Sequence, residues 1–157
     1  MDRLLLVCAF VVMIAASTGH AQWQQVAGPD GGPVTRLAVN PANGYVFALA
    51  NGMPYRSANE GASWTPLITG INGRFKANAI ASSGSDTYVT GIYGSNIPFY
   101  HSTNYGATWA VTSSTGMPQF FFPDAIAISG NTVVASSTIN AGIYFSTNHG
   151  EIWQVAT

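Results

Sequence analysis

A chain of 157 residues is the size of a single domain, and with 47% apolar residues it can build a core. Only 7% of its residues are charged and the formal net charge is −1. There is no basic surface of the kind that phosphate backbones require, which excludes nucleic acid as a partner. The apolar and aromatic content excludes disorder, and the abundance of Gly, Ser, Thr and Asn is that of a secreted, β-rich, turn-rich protein.

Residues 1–21 read as a secretory signal peptide. Arg3 gives a positive start, Leu4 to Ala16 form an apolar run, and Gly19-His20-Ala21 places small residues where signal peptidase reads. The run is shorter than a membrane span of about 18–20 residues, so cleavage after Ala21 is expected, with delivery to the periplasm or the exterior. Cys8, the single cysteine, lies in this leader. The mature chain is then without disulfides, thiolate metal sites or a cysteine nucleophile.

From Trp23 onward the sequence alternates short strand runs with turn signals. Trp23-Gln-Gln-Val26 could be an outer strand. Strands are predicted at Val34 to Val39, at Tyr45 to Leu49 after an Asn-Pro and Asn-Gly turn, and at Pro54 to Arg56 after Asn51-Gly52. The order recurs at Asn78 to Ala81, Thr87 to Tyr93 and Phe99 to His101, and again at Asp124 to Ile128, Thr132 to Ala135 and Gly142 to Phe145. No apolar run at helical spacing is long enough to matter, because Gly or Pro interrupts nearly every window.

Each group of three strands ends in one phrase, S-x-N-x-G-x-x-W. The copies are Ser57, Asn59, Gly61, Trp64; Ser102, Asn104, Gly106, Trp109; and Ser146, Asn148, Gly150, Trp153. The serines are 45 and 44 residues apart, a period that marks repeat architectures such as propeller blades. The Asn can close an Asx-turn, the Gly supplies a positive φ, and the Ser hydroxyl can bond within the same loop. The Trp should begin a fourth strand and cover the turn with its ring, its indole N–H seeking an acceptor. The linkers align too, Thr69-Gly70 through Ala81 against Thr115-Gly116 through Ala127. The expected fold is therefore all-β, about three blades of four antiparallel strands, with repeats near 23–64, 65–109 and 110–157. Propellers typically close with 4–8 blades, so this one is incomplete and should expose the face of a terminal blade. Only a few residues follow Trp153, so the last outer strand is expected to be barely begun, in what reads as the beginning of a longer protein.

The phrase resembles the Asp-box, or BNR repeat, S-x-D-x-G-x-x-W, of the sialidase, sortilin-like and xyloglucanase-like propellers. Asn59, Asn104 and Asn148 stand where that family usually has Asp. The resemblance implies that the box is a structural turn between the third and fourth strands, remote from any catalytic centre. Losing the carboxylate weakens any cation-binding role for the box itself.

Little in the sequence carries chemistry. Glycoside hydrolysis usually needs two carboxylates about 5–9.5 Å apart. Glu60 and Glu151 lie in boxes and Asp86 in a turn, so Asp30 and Asp124, which precede first strands, are the carboxylates kept as candidate ligand contacts. The resemblance puts such loops at a central channel. Sialidases use an arginine triad and an Arg-Ile-Pro sequence; Arg36, Arg56 and Arg74 are present, but no Arg-Ile-Pro. His101 and His149 occur singly, without a second ligand at zinc-like spacing, so neither a metal nor another cofactor is expected. Phe120 and Phe122 are candidate ligand contacts, whereas Phe121, aligned with Phe75, is expected in the core. The resulting expectation is a secreted non-catalytic segment, a scaffold or a recognition surface for protein or glycan. The alternatives are the N-terminal part of a sialidase-like or xyloglucanase-like glycoside hydrolase and a truncated fragment with no independent function, and copies of the chain could combine to complete a ring.

Overall fold

The computed structural model describes residues 28–30, 32–94, 97–119, 121–139 and 142–156. The expected leader at residues 1–21, the Trp23 to Val26 segment and Phe120 lie outside them.

The described residues form three separate four-stranded antiparallel sheets and no helix. The first holds β1 (Val34–Val39), β2 (Val46–Ala50), β3 (Met53–Ser57) and β4 (Thr65–Pro66). The second holds β5 (Lys76–Ser83), β6 (Asp86–Ile92), β7 (Phe99–Ser102) and β8 (Ala110–Val111). The third holds β9 (Ala125–Ser129), β10 (Thr132–Ser137), β11 (Gly142–Ser146) and β12 (Gln154–Val155). Strands follow one another in chain order within each sheet, the meander of a propeller blade.

Every fourth strand starts directly after its Trp. The strand β12 is two residues long, as are β4 and β8, so the third outer strand is as fully formed as the others and not barely begun. Each sheet ends two residues past its Trp, at Pro66, Val111 and Val155.

The sheets stack through two apolar layers. Phe47 and Leu49 of the first sheet meet Phe75, Ala77, Ile80, Val89 and Tyr100 of the second. Tyr88 and Phe99 of the second meet Val133 and Ala135 of the third, together with Phe121. The core ring at the start of each unit repeats one geometry. Phe75 lies edge-on to Tyr100 and Phe121 edge-on to Tyr144, each at 4.9 Å between centroids. Phe121 is 2% exposed, as its alignment with Phe75 predicts. A buried polar contact also crosses the first interface: Asn40 donates to Ser82 Oγ (2.8 Å) and to the Gly84 carbonyl (2.7 Å). It satisfies a side chain that is fully buried.

The boxes are three copies of one turn. In the second, Ser102 Oγ donates to Asn104 Oδ1 (2.8 Å) and accepts from the N–H groups of Gly106 (2.8 Å) and Asn104 (3.3 Å). Asn104 Oδ1 also accepts from the Thr108 N–H (2.9 Å). The same bonds recur around Ser57 and Ser146. The Asn amide adds a bond of its own, donating to Ser63 Oγ (2.9 Å) from Asn59 and to Thr108 Oγ1 (2.8 Å) from Asn104. In the third copy Ile152 occupies that place and offers no hydroxyl.

The Trp does more than cover its own turn. Trp109 Nε1 donates to the Leu67 carbonyl (3.1 Å) and Trp153 Nε1 to the Ser113 carbonyl (3.3 Å), both just past the outer strand of the preceding sheet. The backbone N–H groups of Trp109 and Trp153 donate to Thr69 (3.0 Å) and Thr115 (2.8 Å). The Trp of each later box thus ties its blade to the linker leaving the blade before. Trp64 is half-buried and makes contacts of its own.

Candidate functional site

Inner strands β1, β5 and β9 lie side by side. Where their N-terminal ends converge, a cleft of about 600 Å³ opens, lined by Thr35, Arg36, Asn51, Lys76, Asn78 and Asp124 together with Pro33, Gly52 and Ala77.

Two β-bulges shape it. The β1–β2 register shifts between Val34 and Arg36, and the β5–β6 register between Ala77 and Ala79. The extra residues, Thr35 and Asn78, both line the cleft, as expected of bulges, which re-aim side chains beside sites. Gly91 sits opposite Ala77, and a Cβ there would collide with the Lys76 carbonyl. The second bulge therefore requires glycine at that place in β6.

Arg36 and Lys76 are exposed and come from adjacent blades. The Asp124 carboxylate is fixed at the entrance of β9, accepting from the Thr138 N–H (2.7 Å) and the Thr138 hydroxyl (2.5 Å). The Thr138 hydroxyl and N–H, with a smaller contribution from the positive charge of Arg36, hold the Asp124 carboxyl below its ordinary pKa. The site thus presents two cations, one permanently ionised carboxylate and two side-chain amides at neutral pH.

Of the candidate ligand contacts that fall among the described residues, Asp124 lines this cleft and Asp30 and Phe122 do not. Asp30 is exposed, and its backbone carbonyl accepts from the Tyr55 hydroxyl (3.0 Å). Phe122 is half-buried. The box residues form the turns at the β3–β4, β7–β8 and β11–β12 corners. Sequence reasoning missed Lys76, Asn78 and Asn51 as site residues, and weighed Arg36 only against an arginine triad. The available signal was the repeat alignment, which puts all the first-strand entrances on a common axis.

At the box corners, a second set of side chains bridges the blades. Between the first and second sheets, Arg56 donates to the Tyr105 carbonyl (2.9 Å), lies 5.1 Å over the Tyr45 ring, and Tyr45 packs edge-on against Tyr105. Between the second and third sheets the equivalent places hold Asp86, His101 and His149. His101 Nε2 and Asp86 Oδ1 are 2.5 Å apart, His101 stacks on Tyr88 at 4.2 Å, and the two imidazoles lie nearly parallel at 6.0 Å. The Tyr88 hydroxyl donates to the His149 carbonyl (3.0 Å), and burial, reinforced by the Asp86 charge, raises its pKa so that it stays a donor. Sequence reasoning treated His101 and His149 as isolated, because 48 residues separate them along the chain.

The arrangement of radial four-stranded sheets defines the class: these are β-propeller blades. A structure of YCF48 bound to a D1 peptide superposes with a TM-score of 0.70 at 17% identity, over 87% of this chain and 43% of that one. YCF48 from Cyanidioschyzon merolae gives 0.67 at 18%, over 86% and 40%. The GH74 xyloglucanase from Xanthomonas campestris gives 0.62 at 24%, over 84% and 22%. The present chain therefore spans less than half the length of these propellers, and at such identities the likeness is one of fold. No protein-family profile matches the chain, and no curated protein matches it in sequence.

Proposed function

We propose that the chain is an exported, non-catalytic propeller segment, part of a longer protein, that recognises an acidic stretch of another protein in the cleft at its inner-strand ends. The observation that carries this reading is the placement of Arg36 and Lys76 on neighbouring blades around one open cleft, with Asn51 and Asn78 beside them to bond a peptide backbone. Asp124 is the single carboxylate among the described residues lining it, and its oxygen is engaged by Thr138, so the cleft lacks a pair of acids for glycoside hydrolysis. The reading is supported by the structure of a similar propeller, YCF48, bound to a D1 peptide. We further read the three turns as Asp-box turns carried with Asn, on the strength of the Ser hydroxyl and Asn oxygen bonds that all three share.

Fluorescence anisotropy with labelled acidic and neutral peptides tests the proposal. Binding should favour the acidic peptide, weaken with salt, and fall about tenfold in an Arg36→Ala, Lys76→Ala variant, the loss expected for two charge-assisted contacts. Equal affinity for both peptides, or cleavage of a xyloglucan oligosaccharide by the chain, would overturn it.

A further inference from the structure

The corner between the second and third blades is built differently from the one before it. The pairing register makes the two corners comparable position by position. Arg56 pairs with Phe47 and His101 with Tyr88, so Tyr45 and Asp86 occupy the same place, two residues earlier on the facing strand. Tyr105 and His149 both stand between the Asn and Gly of a box, in left-handed backbone with φ of 58° and 57°. In each corner this residue's carbonyl accepts a bond from the preceding blade, from Arg56 in one case and Tyr88 in the other. The first corner fills the shared position with a cation held over a ring. The second fills it with one carboxylate and two imidazoles.

We propose that Asp86, His101 and His149 form a binding site for a divalent transition-metal ion of the zinc class, which would clamp the second blade to the third. One ligand atom from each residue lies within 4.8 Å of the others, and all three side chains are half-buried. In a tetrahedral zinc site with bonds of about 2.0–2.2 Å, ligand atoms sit roughly 3.3–3.6 Å apart, so the ion would spread the His101–Asp86 pair by about 1 Å and draw the His149 ring toward them. Two neutral imidazoles and a carboxylate suit zinc, nickel or copper, whereas calcium and magnesium prefer all-oxygen sites. The ion would take the place now held by the proton between His101 Nε2 and Asp86 Oδ1. Tyr88 holds the plane of the His101 ring by stacking on it, and the box holds the backbone from which the His149 side chain projects. The site opens onto a cavity of about 460 Å³, also lined by Thr112, Ser113 and Glu151, which leaves room for water or an incoming ligand at a fourth position.

The sequence contains three histidines, and His20, in the leader, serves as an internal control. The test uses the uncleaved full-length chain, which retains His20, without an affinity tag. Co²⁺ titration should give one equivalent of uptake with a visible d–d band, displaced by Zn²⁺, and Zn²⁺ should raise Tm. The His101→Gln and His149→Asn variants should each weaken uptake at least about tenfold, the Asn being chosen because it tolerates left-handed backbone. His20→Gln should leave uptake unchanged. In the unaltered chain, Zn²⁺ should shift the ring resonances of His101 and His149 and not those of His20. Absence of uptake, uptake that survives both substitutions, or imidazole resonances that stay in place would overturn the proposal and leave a plain Asp86–His101 hydrogen bond. Peptide binding in the inner-strand cleft is independent of these outcomes.

Discussion

At the scale of single residues, the box serine is the most constrained side chain in the repeat. The residue is 1% exposed in all three copies, and its hydroxyl bonds both the Asn side chain and two backbone N–H groups. Removing it strands the buried Gly106 N–H away from water, which typically costs about 1–3 kcal/mol. The Ser102→Ala variant is expected to lose stability of that order in urea unfolding, with unchanged m-value; unaltered stability would mean that the turn is held by other means. The choice of Asn over Asp also has a local reason in the first two boxes, where the amide N–H meets Ser63 or Thr108. These roles are legible in the sequence because the turn is closed by residues within a few positions of one another. The left-handed backbone of Glu60, Tyr105 and His149 is not, since nothing in those side chains demands it. The neighbouring Asn and Gly impose it through the turn they form.

The element scale is where the linkers acquire a purpose. Thr69-Gly70 and Thr115-Gly116 were visible as an aligned pair, but an alignment does not say what the pair touches. Each Thr carbonyl receives the backbone N–H of the following Trp, and each Gly lies directly against that Trp's carbonyl with φ of +92°. A side chain at Gly116 would both strain the backbone and collide with the Trp153 main chain. The Gly116→Ala variant is accordingly expected to lose at least about 2 kcal/mol, with the third sheet the first to open. Hydrogen exchange should show lost protection in β9 to β12 while β5 to β7 keep theirs. Uniform loss across the chain would contradict a blade-by-blade role for this contact.

For the whole molecule, the decisive fact is that three stacked blades leave two sheet faces without a described neighbour. Leu37 and Val39 are 65% and 62% exposed on the face of β1 opposite Ala38, which packs toward the second sheet. On the third sheet, Ala125, Ala127, Val134 and Ile143 share an open face with a shallow apolar hollow. Faces of this kind are covered by adjoining blades in a closed ring, and left open they favour association. Sedimentation velocity of the isolated chain should therefore show concentration-dependent self-association, which Leu37→Glu with Ile143→Glu should abolish without loss of the β-sheet circular dichroism. A strictly monomeric unaltered chain would show that these faces do not attract one another.

The sequence by itself determined the strands, their grouping by fours, the three box turns and the burial of Phe121, because each depends on local turn chemistry or on a repeat that can be counted. The tertiary structure alone decided that each later Trp reaches back to the previous blade, that Arg36 and Lys76 share a cleft with Asp124, and that His101 meets His149. Those meetings join residues about 40 to 90 positions apart. They follow from how twisted sheets stack around a common axis, and spacing along one strand carries no record of which side chain the next blade brings to the same corner.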